Sequence, residues 1–199
     1  MSGAPTRIYV TRHGQTDANL AKRVQGQGDN PLNATGLAQA RELAVFFGHH
    51  PIDRVISSDL RRARQTAEIL ADTLNIPVTY HPELRARQMG SFEGRTHEEL
   101  AQADPEAFRR LKHDPEFVPP DGGESTRQLM GRMVPFVRRV AERYRGARVA
   151  ILSHHKVCQM ILAELAGGTM KPIPNARPAL VTYNEGCFTL EEEVSHGAA

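Results

Sequence analysis

Four short runs of β-branched and apolar residues, separated by segments with helical apolar spacing, constrain this chain more than any other feature. The runs are Arg7 to Thr11, Asp53 to Ser57, Ile76 to Tyr80 and Arg148 to Leu152, the last apolar along nearly its whole length. A strand that is apolar on both faces must be covered on both faces, and strands alternating with helices favour parallel pairing. The predicted fold class is therefore α/β, a three-layer α/β/α arrangement around a mainly parallel central sheet.

The intervening segments carry the helical signal. Leu37, Ala40, Leu43, Ala44 and Phe47 recur at three- and four-residue spacing between Thr35 and Phe47. Leu60, Ala63, Ala67, Leu70 and Leu74 form a second stripe, with Ser58 or Asp59 as the expected cap and Arg61, Arg62 and Arg64 in the first turns. Glu83 to Gly94 reads as a loop, Thr96 to Lys112 as weakly helical, and His113 to Gly123, with three prolines and two glycines, as irregular. Glu124 to Arg145 is a helix in which Pro135 should introduce a kink or local disturbance. A helix follows Ser153-His154-His155 through about Ala166, and Val181 to Tyr183 and Phe188 to Leu190 are closing strands around Glu185-Gly186. The 199 residues suit one domain, 1–199, with an excursion at about 84–123 that covers the site, and Ser195 to Ala199 reads as a disordered tail.

Charge narrows the partners. Twenty-five Lys+Arg against 23 Asp+Glu give a formal net charge of +2, too balanced for a protein whose main task is to neutralise a polyanion, so nucleic acid is not expected. Met1 to Pro5 lacks the charged start of a leader, and no run of about 18 apolar residues occurs, so the reading is a soluble cytoplasmic protein with no membrane partner. Cys158 and Cys187 lack disulfide-framework or zinc spacing and read as small packed side chains. A homodimer remains open, because an apolar strip that pairs subunits looks like one that packs a core.

Arg7 to Thr11 runs directly into Arg12-His13-Gly14, and Arg148 to Leu152 into Ser153-His154-His155. Parallel strands end on the same edge of a sheet, where ligands bind, so His13 and His154 can converge. Covalent phosphoryl transfer needs a nucleophile, cations for the equatorial oxygens and usually an acid for the leaving oxygen. His13, Arg12, Arg62 and His154 are candidates for these roles, arginine through its planar fork of donors. Spacing alone leaves the plainer reading open: packed strand-end histidines and a solvated arginine-rich helix face.

At these residues the sequence resembles the histidine phosphatase superfamily, whose fold is phosphoglycerate-mutase-like. The resemblance rests on Arg12-His13-Gly14 within Arg12 to Asn19, then Arg23-Val-Gln-Gly26, Asp29-Asn-Pro-Leu32, Gly36 to Ala40, Ser57 to Ala67, Gly123-Glu-Ser125 and Leu152-Ser-His154, in the family's order. It implies that His13 is the nucleophile, that Arg12, Arg62 and His154 surround the phosphoryl group, that Asn19 adds a polar contact, and that Gln25 and Gly26 border a small phosphorylated substrate. Arg62 is chosen over Arg61 and Arg64 by the Arg-Ala-x-x-Thr pattern that ends at Thr66. No metal or other cofactor is implied, since arginines and histidines supply the positive charge.

Two positions depart from the family. Its proton-donating Glu is expected where Leu84-Arg-Ala86 places Ala86, and a methyl group cannot protonate anything. Losing a general acid costs about a hundredfold to ten-thousandfold in rate. Four readings are open: a replacement donor among Glu83, Glu93, His81 and His155; a leaving group that needs little protonation; altered chemistry or a non-catalytic phosphate binder; or an engineered substitution. The second departure is His155-Lys156, where the family usually continues with Gly, so His155 is either a substrate-binding or catalytic group or a packed rim residue. Phosphatase ranks first, with chain length and the Phe108 to Ser125 segment in its favour. A phosphoglycerate-type mutase ranks second, with Arg109-Arg110 as either its arginine pair or two exposed helical residues, and a phosphate binder third.

Overall fold

Residues 4–193 are described by a computed structural model, and the expected tail at Ser195 to Ala199 lies outside them. The strands β1 (Thr6–Arg12), β2 (Arg54–Ser57), β3 (Val78–Tyr80), β4 (Arg148–Ser153), β5 (Pro178–Asn184) and β6 (Cys187–Glu193) form one sheet in the order β3-β2-β4-β1-β5-β6. The first four pair in parallel, whereas β5 and β6 add an antiparallel edge beside β1.

Side chains alternate across a strand, and β4 shows why its run is continuously apolar. Val149 and Ile151 join Ile8 and Val10 on one face, beneath α6 (Thr126–Arg143) and α7 (His155–Met160). Ala150 and Leu152 join Tyr9 and Val55 on the other, beneath α2 (Ala34–His49) and α3 (Arg61–Leu74). The three-layer α/β expectation thus corresponds to two separate buried clusters, one on each side of a mostly parallel sheet.

Local details differ from the sequence reading. A single turn, α1 (Asp17–Leu20), follows β1 and is capped by Thr16 with Asn19 in a reciprocal pair. Neither Ser58 nor Asp59 caps α3: the cap position is Leu60 without a side-chain bond, Ser58 faces His154, and Asp59 is held by Arg85 at 2.6 and 2.7 Å. α6 carries Pro135 within its span, and Leu129 and Met133 before it and Phe136, Val137 and Val140 after it join the same core cluster. The expected loop at the start of the excursion is bordered by one 3-10 turn, Pro82–Leu84, and contains another, Gly90–Phe92.

The weakly helical stretch is two helices, α4 (His97–Ala103) and α5 (Pro105–His113). Thr96 and Glu99 form a capping box at the first, while Asp104 caps the second and Pro105 opens it. This excursion has its own small cluster of Phe92, Leu100 and Phe117, supported by Val24, Met89 and Phe108. Beyond α7 the helix widens into a π turn at Ile161–Leu165. Among the described residues no helix is long and apolar enough to cross a membrane.

Candidate active site

The register of three parallel strands assembles the site. Arg12 pairs with Ser153 and Ser57 with Leu152, so β1, β4 and β2 stop at nearly the same level. The residues that follow, His13, His154 and Ser58, leave one edge of the sheet together, and α3 starts there with Arg62 in its first turn. The His13 N–H donates to the Ser153 carbonyl at 3.0 Å, and the two imidazole rings lie 5.2 Å apart.

His13 is almost fully buried, and its Nδ1 lies 2.6 Å from the Gly14 carbonyl oxygen. A carbonyl only accepts, so Nδ1 carries the hydrogen and Nε2 keeps its lone pair. Arg62 Nε donates to that Nε2 at 3.2 Å, while Nη1 and Nη2 donate to the carbonyls of Gly28 and Gly26 at 3.0 and 2.7 Å. Arg62 is 1% exposed, and burial pushes it down to about 10, which leaves it cationic at neutral pH. Its fixed acceptors are neutral, so its charge is not cancelled by an ion pair among the described residues. Burial above all, then Arg62 and Arg12, holds His13 well below the ordinary histidine value.

His154 is shifted in the same direction, again chiefly by burial and then by Arg62. Ser58 Oγ accepts the Leu60 N–H at 3.3 Å and lies 2.8 Å from His154 Nε2; with the Ser58 hydroxyl donating to Nε2, the ring hydrogen sits on the buried Nδ1, which has no partner among the described residues. Arg12 donates through Nη1 to the Ile173 carbonyl at 3.0 Å, and its buried Nε is likewise unpartnered. A buried donor left unpaired costs about 1–3 kcal/mol, so such atoms beside a cavity favour an anion that can accept from them. Cys158, near Arg12, is no rival nucleophile, since burial pushes its thiol up to about 12.

The remaining predicted residues form a wall of the same cavity, which has a volume of about 500 Å³. Asn19 Oδ1 accepts the Thr16 N–H at 3.1 Å, and Gln25 Oε1 accepts from Thr16 Oγ1 at 3.0 Å. Gly26 has φ +49°, and a Cβ there would overlap the Glu93 carboxylate, so glycine lets this turn carry the carbonyl that holds Arg62. His155 also borders the cavity, with Nδ1 3.4 Å from the Ile173 carbonyl; burial and then Arg12 lower its pKa. All eight predicted site residues therefore reach one cavity.

Ala86 lies in the cavity wall, its carbonyl accepting from Gln27 Nε2 at 3.2 Å and Arg132 Nη2 at 3.0 Å. Of the four replacement donors named from the sequence, three are engaged elsewhere. Glu93 Oε1 accepts the backbone N–H groups of Gln27 and Met89, Glu83 faces Arg139 at 3.9 Å, and His81 packs on Phe136 beside Thr79. Of these, His155 borders the cavity, and among the described residues no Asp or Glu does. Arg109 and Arg110 are paired on the surface with Glu106 and Asp114 and do not border the cavity, which fits two exposed helical residues and not a mutase's arginine pair.

Other contributors had little or no signal in the sequence. Thr66 Oγ1 accepts the Gly14 N–H at 3.1 Å and donates to the Arg62 carbonyl at 2.8 Å, and it was visible only as the end of a motif. Asn175 Nδ2 donates to the His13 carbonyl at 2.7 Å from a loop with no periodicity. Arg87, His97 and Lys112, all from the excursion, also border the cavity.

A profile of the histidine phosphatase superfamily, branch 1, matches residues 8–194. The chain belongs to this superfamily. This histidine phosphatase is 32% identical over 159 residues to an adenosylcobalamin/alpha-ribazole phosphatase of Salmonella typhimurium, covering 80% of this chain and 79% of that protein. It is 38% identical over 162 residues to a metal-independent phosphoserine phosphatase of Arabidopsis thaliana, covering 78% and 67% of the two chains. Among solved structures, it is similar to a mycobacterial glucosyl-3-phosphoglycerate phosphatase, with TM-score 0.84, 27% identity and coverage of 96% and 99%.

Proposed function

We propose that this histidine phosphatase hydrolyses a small phosphorylated metabolite through a phosphohistidine on Nε2 of His13, and that its leaving group departs without the family's carboxylic acid donor. The observation that carries the reading is the Nδ1 contact of His13 with the Gly14 carbonyl, which presents an unprotonated Nε2 beside Arg62.

The Nε2 lone pair attacks phosphorus while the ester P–O bond breaks and its electron pair goes to the leaving oxygen. As the Nε2 lone pair is used, Arg62 Nε is released from it to an equatorial oxygen while Nη1 and Nη2 stay on the Gly28 and Gly26 carbonyls, and Arg12 and His154 add donors whose partners are incomplete before substrate arrives. Water then attacks phosphorus, the N–P bond breaks, and phosphate leaves with His13 restored. Buried positive charge acts on charge as it develops, which is where it stabilises the transition state most.

Ala86 and a cavity wall without a carboxylate among the described residues support this choice of leaving group. His155 is a weak substitute at neutral pH, because a lowered pKa leaves little of it protonated. The reading therefore favours phenols, acyl phosphates or phosphoramidates, whose departing atoms need little protonation. Brief exposure to radiolabelled phosphoramidate should leave acid-labile phosphate on the protein and none on His13→Ala. Equal labelling of the two proteins would overturn the mechanism.

A further inference from the structure

The cavity extends past the His13 end to the residues of the excursion and of α7. Three cations stand there: Arg87 after the Ala86 position, Lys112 in the last turn of α5, and Lys156 in α7. Lys156 is half-buried and has no ion pair among the described residues. Lys112 Nζ lies 3.5 Å from His97 Nδ1 and 5.2 Å from the Phe108 ring centroid, again without an acidic partner among those residues. Arg87 is buried, and its three bonds go to neutral acceptors: the carbonyls of Glu124 and Phe117 and the hydroxyl of Thr126.

Nearby acids do not neutralise the group. Glu124 is committed to Arg132 at 2.7 and 2.9 Å, and Glu164 favours the charged form of Lys156 without pairing with it. Burial, Arg87 and Lys112 together push the Lys156 ammonium down, which is the mark of like charges held close. Such self-repulsion opposes folding, and a concave, positively lined wall concentrates anions. A phosphoryl group fills only a small part of a cavity of about 500 Å³, a size that suits a larger ligand.

We propose that Lys112 and Lys156, backed by Arg87, form a second anion subsite that selects phosphomonoesters whose leaving group carries another negative group, a carboxylate or a second phosphate. The subsite rests on the reading of His13 as nucleophile and extends it to the substrate class. It also links the two departures from the family pattern: where a carboxylate would have stood, Ala86 leaves the wall uncharged, and where glycine is usual, the His155-Lys156 segment adds a cation.

The test compares 4-carboxyphenyl phosphate with its neutral isostere, 4-carbamoylphenyl phosphate, and with 1,4-phenylene bisphosphate, using the full chain. Both doubly anchored esters should exceed the carbamoyl ester in kcat/KM by about tenfold at low salt, mainly through KM, and the advantage should shrink as salt rises. A larger advantage for the bisphosphate would identify phosphate as the second group, and one for the benzoate a carboxylate. The double variant Lys112→Gln/Lys156→Gln should bring the ratio to about one, and Lys112→Arg/Lys156→Arg should retain it. Equal kcat/KM for charged and neutral esters in the unaltered protein, or an advantage that survives the Gln substitutions, would overturn the subsite. Absence of acid-labile label on His13 would instead strike the phosphohistidine reading, so the two failures are distinguishable.

Discussion

The floor of the cavity and its rim solve different problems with different kinds of structure. His13, His154 and Arg62 stand at strand ends and a helix start and are at most 3% exposed; His13 and Arg62 are held by backbone carbonyls and by each other, and His154 is set against Ser58. Arg87, Lys112 and Lys156 come from the excursion and from α7, and the two lysines are partly exposed and have no acidic partner among the described residues. Rigid, dry surroundings suit groups that must act on a transition state with little reorganisation. A wetter, charged rim suits recognition of the part of a substrate that differs from one ester to the next.

The largest expected effect tests the floor. Arg62→Ala should lower kcat/KM by about a thousandfold, near the upper end for losing one preorganised donor. Arg62→Lys should recover little of this, since it keeps the charge but not the fork. Full activity in either variant would break the assignment of the floor to phosphoryl stabilisation.

Next comes the boundary between the two regions. Ala86→Glu should narrow the gap between aryl and alkyl phosphates by about a hundredfold, the lower end of general-acid assistance. It should also weaken the preference for doubly anionic esters, because the new carboxylate shares the wall with Lys112 and Lys156. Unchanged selectivity on both counts would mean that the rim ignores charge at this position.

Acid should expose the floor's burial. His13 and His154 have native pKa values below the unfolded value of about 6.5, so the unfolded chain binds more protons as pH falls below that point. Their contribution makes stability fall from about pH 6.5 downward, by up to about 1.4 kcal/mol per pH unit for each histidine, until the native groups titrate. Urea midpoints at pH 7.5 and 5.5 would show the loss. The acid limb of kcat/KM should correspondingly lie below pH 6.5, and a limb at 6.5 or above would contradict a desolvated, cation-flanked His13.

A smaller effect tests how the floor is held. Gly26→Ala meets a positive φ and the Glu93 carboxylate, and should lower stability by about 1–2 kcal/mol in urea unfolding. Because the Gly26 carbonyl holds Arg62, kcat should fall with it. Unaltered stability and kcat would mean that Arg62 is positioned without that turn.

Much of the floor was legible because strand periodicity places His13 and His154 at the ends of runs, and parallel pairing sends such ends to one edge. The apolar stripe from Leu60 to Leu74 likewise placed Arg62 in a first turn beside them. The rim was not legible in the same way. Lys112 lies in a charged helical stretch whose sequence does not say which face turns inward, and Asn175 lies in a loop without periodicity. The expected cap at Ser58 or Asp59 failed because tertiary partners, His154 and Arg85, compete for those side chains more strongly than the local helix N–H groups do.

By itself, then, the sequence determined the alternating α/β layers and placed His13 and His154 at strand ends, because short-range periodicity and chain direction are enough to set both, whereas the phosphoryl role read for these residues came from the family resemblance and not from spacing. Tertiary structure decided which nitrogen of His13 is free, which carboxylates are committed elsewhere, and that Arg87, Lys112 and Lys156 share one wall. Those outcomes depend on carbonyls, cations and loops brought together from distant parts of the chain, and no local pattern encodes such meetings.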